Sequence, residues 1–197
     1  MVFRARDLDG VRLAAMDGAN GRVVDCLFDD GEWTVRHLVV DTGGWLPGRR
    51  ALVSPACVRD VDLASRRVVV VLSRKQVDES PDRSTGHLHS TRDIIGYEVD
   101  GRDGAVGHVD ELLIDDESWT IRWLVVDTGT RTPGRKILVS PESIQEVAWA
   151  RRGVRGDFGL QQVRAAPDYH PEEPAHDDYD RRLLERSRRP VDRPQAA

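Results

Sequence analysis

The chain has 197 residues, room for one ordinary domain or two small ones and too few for a multidomain enzyme of usual size. Its 29 Lys and Arg against 34 Asp and Glu give a net charge of -5 with no long block of either sign, which disfavours a non-specific nucleic-acid binder. With 32% charged and 39% hydrophobic residues the composition is that of a folded chain with a modest core, and no stretch approaches the roughly 18 apolar residues of a membrane span; nor does the start, Met1-Val-Phe-Arg-Ala-Arg, resemble a signal peptide, so the expected compartment is cytoplasmic.

Runs rich in Val, Leu and Ile, punctuated by Asp-Gly, Gly-Glu, Thr-Gly and Pro-Gly, predict short strands at Val11 to Met16, Arg22 to Phe28, Thr34 to Asp41, Arg50 to Val53, Cys57 to Asp62 and Val68 to Leu72. The third is the most apolar and is expected to be covered on both faces toward its end. Ser73-Arg-Lys-Gln76 has the form of a capping box and Pro81 stops what it starts, so one short helix follows the strands. Residues 82–91, DRSTGHLHST, read as a polar hinge. Beyond Pro167, Pro and charge dominate; only Asp177 to Ser187 suits a helix, and most of this tail is expected to be mobile.

Self-comparison explains why the pattern recurs. Asp17 to Pro55 lies without a gap on Asp103 to Pro141 at an offset of about 86 residues, with about 24 of 39 positions identical. The same offset carries Gly10 onto Gly96, Val68 onto Val154, Gln76-Val77 onto Gln162-Val163 and Pro81 onto Pro167. The organisation is therefore repeat 1 at 1–81, a linker at 82–91, repeat 2 at 92–167 and a charged, Pro-rich tail at 168–197. So many short strands are most economically arranged as all-β, in two small antiparallel barrels that leave few edges and dock on each other, with a short helix after each.

The run shared by both copies, Gly-x-Val, then Asp-Asp-x-x-Trp-Thr-(Val/Ile)-Arg-x-Leu-Val-Val-Asp-Thr-Gly, then Pro-Gly-Arg-(Arg/Lys)-x-Leu-Val-Ser-Pro, resembles the PRC-barrel, the β-barrel of the photosynthetic reaction centre H subunit. His87-Leu-His-Ser-Thr-Arg-Asp-Ile-Ile-Gly-Tyr-Glu-Val resembles the start of the second barrel in tandem bacterial members. The resemblance covers about residues 1 to 168. It implies a non-enzymatic adaptor that binds a protein partner. Two other roles in the family are an accessory part in ribosome or RNA maturation and a component of a membrane electron-transfer complex. The chain departs from both, having two barrels where the ribosomal factor pairs one with another domain, and no membrane helix.

The two copies act as an internal control: residues in both serve the barrel, and residues in one are where a particular function sits. Trp45-Leu46 becomes Arg131-Thr132, so Trp45 and Leu46, with Arg49 and Arg50 beside them, are the candidate partner contacts, the alternative being that Trp45 packs into the joint between the barrels. Asp29-Asp30 and Asp115-Asp116 lack the spacing of a calcium loop and read as turn caps. Arg36 and Arg122 are expected to pair with Asp41 and Asp127. Asp41-Thr-Gly and Asp127-Thr-Gly are too short a match for an aspartic protease, and nucleophile-elbow and phosphate-loop motifs are missing, so no enzyme, catalytic residue, cofactor or metal is expected. His87 and His89 read as solvated, Cys26 and Cys57 as buried free thiols. The basic pairs Arg49-Arg50, Arg66-Arg67, Arg135-Lys136 and Arg151-Arg152 read as a mixed solvated face rather than a nucleic-acid stripe.

Overall fold

A computed structural model describes residues 2–43, 50–81, 87–129 and 135–170. Repeat 1 contains β1 (Val2–Arg4), β2 (Arg12–Ala15), β3 (Gly18–Asp29), β4 (Thr34–Asp41), β5 (Arg50–Val53), β6 (Val58–Asp62), β7 (Arg67–Val70) and helix α1 (Arg74–Asp78). The linker carries β8 (His89–Ser90) at the entry to repeat 2, which continues with β9 (Glu98–Gly101), β10 (Gly104–Asp115), β11 (Ile121–Asp127), β12 (Lys136–Val139), β13 (Ile144–Ala148), β14 (Gly153–Gly156) and α2 (Leu160–Ala165). The protein is mostly β, and the twelve expected strands all form, within a few residues of their expected ends. The start at Cys57 is one difference, since Pro55–Cys57 is a 3-10 turn.

That turn also explains why the sheets are mixed and not antiparallel as expected. Ser54 caps it, Oγ accepting from the Ala56 N–H at 3.3 Å, and Pro55 occupies its first turn, so the chain crosses over instead of making a hairpin. The β6–β7 hairpin is thereby turned round, and β7 lies parallel to β2, with Arg12 opposite Arg67 and Ala14 opposite Val69. Repeat 2 does the same with Ser140-Pro141, and β14 lies parallel to β9. Strand orders are β5-β4-β3-β2-β7-β6 and β12-β11-β10-β9-β14-β13. Among the described residues no ladder joins β5 to β6 or β12 to β13, so neither sheet closes by hydrogen bonds into the expected barrel.

Two short strands make each sheet seven-stranded, and both come from outside the repeat they complete. β1 pairs with β10, Phe3 opposite Ile114, while β8 pairs with β3, His89 opposite Phe28. His89 and Ser90, expected in the hinge, thus belong to the sheet of repeat 1. Between the sheets lies a self-equivalent contact: Thr34 bridges Thr120, its own counterpart, with Val35 N–H donating to Trp119 O at 2.9 Å and Ile121 N–H to Trp33 O at 2.7 Å. The repeats are therefore related by a pseudo-two-fold axis, and one buried apolar cluster runs from Phe3 and Phe28 through Leu38 and Leu124 to Val154.

Local chemistry fixes the turns. Asp29 Oδ1 accepts from the N–H groups of Gly31 and Glu32 at 2.9 and 3.2 Å, and Asp115 Oδ1 from Glu117 and Ser118 at 3.2 and 2.8 Å, as expected of turn caps. These bonds hold Trp33 and Trp119 at φ of 50° and 58°. The capping box forms: Gln76 N–H donates to Ser73 Oγ at 3.3 Å and Ser73 N–H to Gln76 Oε1 at 2.9 Å. Past the expected end of repeat 2, Tyr169 is buried against Leu113, Val125 and Leu138, and its N–H donates to Lys136 O at 2.7 Å. The possible helix at Asp177 to Ser187 lies outside the described residues.

Candidate functional site at the joint between the repeats

Of the four candidate contacts, Trp45, Leu46 and Arg49 lie outside the described residues. Arg50 opens β5, exposed, opposite Asp41. Among the described residues the arginines and aspartates expected to pair are seen with other partners. Arg36 bonds Glu32, Arg122 lies 3.6 Å from Asp115, and the Asp41 and Asp127 carboxylates close their own turns by accepting from Gly43 and Gly129 N–H groups at 3.0 and 2.7 Å. A carboxylate at a strand end has backbone N–H donors two residues on, and these outcompete an arginine five residues back. Members of the basic pairs have partners within the protein: Arg66 donates to Asp9 O, Lys136 meets Asp110 at 2.8 Å, and Arg152 lies over Tyr97. Cys26 is buried, and burial pushes its thiol pKa well above the usual range; Cys57 is half-buried.

His87 is exposed as expected, but His89 is half-buried rather than freely solvated. Carried by β8 into repeat 1, its ring stacks on Trp149 with centroids 3.5 Å apart and planes 4° from parallel. The Trp149 indole N–H donates to Asp30 Oδ2 at 2.7 Å, and the same oxygen lies 3.7 Å from His89 Nε2. Phe28 and Tyr97 approach Trp149 with centroid distances of 6.1 and 5.6 Å, and Trp33 stacks on Phe28 at 5.7 Å. The pseudo-symmetry mate of this cluster is plainer: Phe3 stands where His89 does and meets Trp119 edge-on at 5.8 Å, while Leu63 and Val11 replace Trp149 and Tyr97. The joint is thus asymmetric in chemistry although symmetric in backbone. Sequence reasoning missed these residues; comparing the copies at positions 89, 97 and 149 finds them.

Two grooves flank the axis at equivalent places. The larger, about 1100 Å³, runs between the Asp30–Trp33 turn, β11, β12 and α2; Trp33, Trp123, Ile137 and Val163 supply apolar surface, and Glu32 and Arg122 stand at its rim. Its mate, about 670 Å³, lies against Trp119, Val58 and Val61. The first is wide and open beyond what a single small ligand fills, which suits a stretch of polypeptide.

A third cavity, about 360 Å³, sits where the two repeats meet and is lined by Arg6, Asp9, Asp25, Cys26, Arg92 and Glu111 among others. Glu111 is buried, with Oε1 accepting from Leu112 N–H at 2.9 Å and Oε2 bonded to Arg6 Nε. Burial raises the pKa of its carboxyl above the ordinary value, against the opposing pull of the Leu112 N–H and Arg6. Its counterpart Asp25 is met by Cys26 N–H at 2.8 Å and Ser90 Oγ at 2.6 Å. A carboxyl with a raised folded pKa contributes stability that is complete below the unfolded value and is lost as pH climbs through the folded one. The Glu111→Gln variant is therefore expected to gain thermal stability relative to the parent as pH rises from about 4 to 7, read from paired melting curves. A constant difference across that range would show that the folded pKa of Glu111 is not raised above its unfolded value.

Among the described residues no group of three or more His, Cys, Asp or Glu converges as metal ligands, and no helix is long and apolar enough to cross a membrane. Fold and joint define a class: a tandem all-β repeat whose two mixed sheets exchange a strand across a pseudo-two-fold axis. Neither the protein-family models nor the curated proteins give a match to this chain.

Proposed function

We propose that the chain is a tandem PRC-barrel protein acting as a non-enzymatic adaptor that holds a protein partner in the cytoplasm. The observation that carries this reading is the open groove of about 1100 Å³ at the joint, with its tryptophans, which suits a polypeptide better than a small molecule. Support for a barrel comes from connectivity. β5 and β6 are opposite ends of one sheet, yet only residues 54–57 separate them, so the sheet must curl until its edges approach. The repeat motifs quoted above supply the family likeness. Trp45 and Leu46, absent from the second copy, are proposed to reach the same partner with Arg49 and Arg50.

The test is a pull-down of the tagged chain from soluble and membrane fractions of native lysate, with and without nuclease. Reproducible protein partners that survive nuclease, and that a Trp45→Ala, Leu46→Ala double variant loses, are the expected result. Nuclease-sensitive recovery of ribosomal particles would favour the maturation role, and recovery with membrane redox proteins the electron-transfer role. Retention of nothing specific in either fraction would remove the adaptor reading.

A further inference from the structure

The outer face of β2 and β7 carries a charge arrangement that costs stability and has no counterpart in repeat 2. Cross-strand neighbours run Asp41, Arg22, Arg12, Arg67, Asp62, which sets three exposed arginines side by side over about 10 Å of sheet. Like charges directly opposite one another destabilise a sheet. Asp41 and Asp62 also accept from their own turns, Asp41 from Gly43 N–H and Asp62 from Ser65 N–H and Oγ at 2.9 and 2.5 Å, but keep their charge and offset the ends of the row, Asp62 interacting electrostatically with Arg67, so the centre at Arg12 is the least compensated. Arg22 donates to Gly10 O at 3.3 Å; the guanidinium groups of Arg12 and Arg67 have no hydrogen-bond or salt-bridge partner among the described residues. In repeat 2 the same row reads Asp127, His108, Glu98, Gly153, Ala148.

Beside the arginines the face turns apolar. Ala14 lies opposite Val69, and the stripe continues into Met16 and Val71, the large hydrophobics exposed among the described residues at 71% and 48%. Met16 N–H donates to Leu72 O at 2.9 Å, which holds the two side by side. Their counterparts are Arg102 and Asp157, which form an ion pair at 3.4 Å. At these places the fold therefore accepts a solvated ion pair, and repeat 1 instead presents an apolar pair next to a row of three arginines compensated only at its ends.

We propose that this face docks an acidic amphipathic segment of a partner protein. Its carboxylates meet Arg12, Arg22 and Arg67, and its apolar side chains cover Ala14, Val69, Met16 and Val71. Guanidinium groups take carboxylates in paired hydrogen bonds, and the strip beside them rewards apolar contact. Asp60 lies opposite Val69 and Asp17 follows Met16, both exposed, so acids flank the apolar strip and the segment's carboxylates are confined to the arginine end, whereas a uniformly anionic nucleic-acid backbone or bilayer would run from the arginines into these acids. The proposal rests on the adaptor reading and names the chemistry of the partner.

The probe is a labelled helical peptide with a Leu stripe edged by Glu, titrated into the full chain. Two controls accompany it, one with Lys for Glu and one with Ser for Leu. Both controls are expected to bind at least about tenfold more weakly. Arg12→Glu with Arg67→Glu is expected to weaken the Glu–Leu peptide by about tenfold or more, and Met16→Arg with Val71→Asp, which installs the pair repeat 2 already carries, by about fivefold. Binding that neither double variant weakens, equal binding of the Ser control, tighter binding of single-stranded RNA, or self-association of the free chain that the arginine variant abolishes would each overturn it. The same variants in the lysate pull-down separate the two readings. Partners retained unchanged by both sink this face and leave the adaptor standing, whereas a parent chain that retains no partner sinks the adaptor itself.

Discussion

Gly107→Ala is expected to lower the melting temperature by about 10 °C, from a loss of about 3–5 kcal/mol in a chain of this size. A Cβ at Gly107 would lie 2.0 Å from Asp127 O and 2.8 Å from Asp127 C, and neither is a side chain that can swing aside. Gly107 sits at a bulge in β10, where the strand shifts register against β9 between Ala105 and Gly107, while its own backbone lies close against Asp127 of β11. Gly21 repeats the geometry, its Cβ position 2.2 Å from Asp41 O. Gly96 is the control: its φ is +82°, but nothing lies within 4 Å of a Cβ there, so Gly96→Ala is expected to cost only about 1–2 kcal/mol of backbone strain. Urea titrations of the two variants measure the difference, and equal losses would show that the close approach relaxes.

Phe28→Ala is expected to cost about 3–5 kcal/mol and to unfold both repeats together. Phe28 is fully buried, pairs with His89 across the exchanged strand, and lies in the ring cluster with Trp33 and Trp149. Its loss leaves a cavity at the joint, so the N–H of Thr91, bonded to Cys26 O at 2.9 Å, is expected to exchange with solvent faster. Calorimetry distinguishes the alternatives: one transition at lower temperature is the expected result, and two separated transitions would mean that the halves are stable independently.

The strands of each copy were legible because their signals are local. Alternating apolar residues between turn formers mark β4 and β11, and a Ser-x-x-Gln spacing marks α1. The parallel pairing of β2 with β7 was not legible, since it depends on a 3-10 turn at Pro55 that flips a distant hairpin. β1 and β8 are three and two residues long, too short for any period, and what makes them strands is an edge supplied by the other repeat. At the joint, Trp33 and Trp119 stood out as a repeated pair, whereas His89 and Trp149 lie in unlike surroundings sixty positions apart and meet only because β8 crosses over. The arginine row was equally hidden: Arg12, Arg22 and Arg67 are scattered in sequence and adjacent only in cross-strand register.

The exchange of β1 and β8 also bears on how the chain comes off the ribosome. Val2–Arg4 is made well before its pairing partner at Leu113–Asp115, so its ladder hydrogen bonds stay unmade until that segment follows. Repeat 1 in turn lacks the strand that covers Leu27 and Phe28 until Ser90 has emerged. Contacts this far apart along the chain delay the final ordering step and keep an apolar edge open meanwhile. A nascent chain stalled within the first repeat is thus a target for chaperones, and one released whole completes both sheets in a single late event.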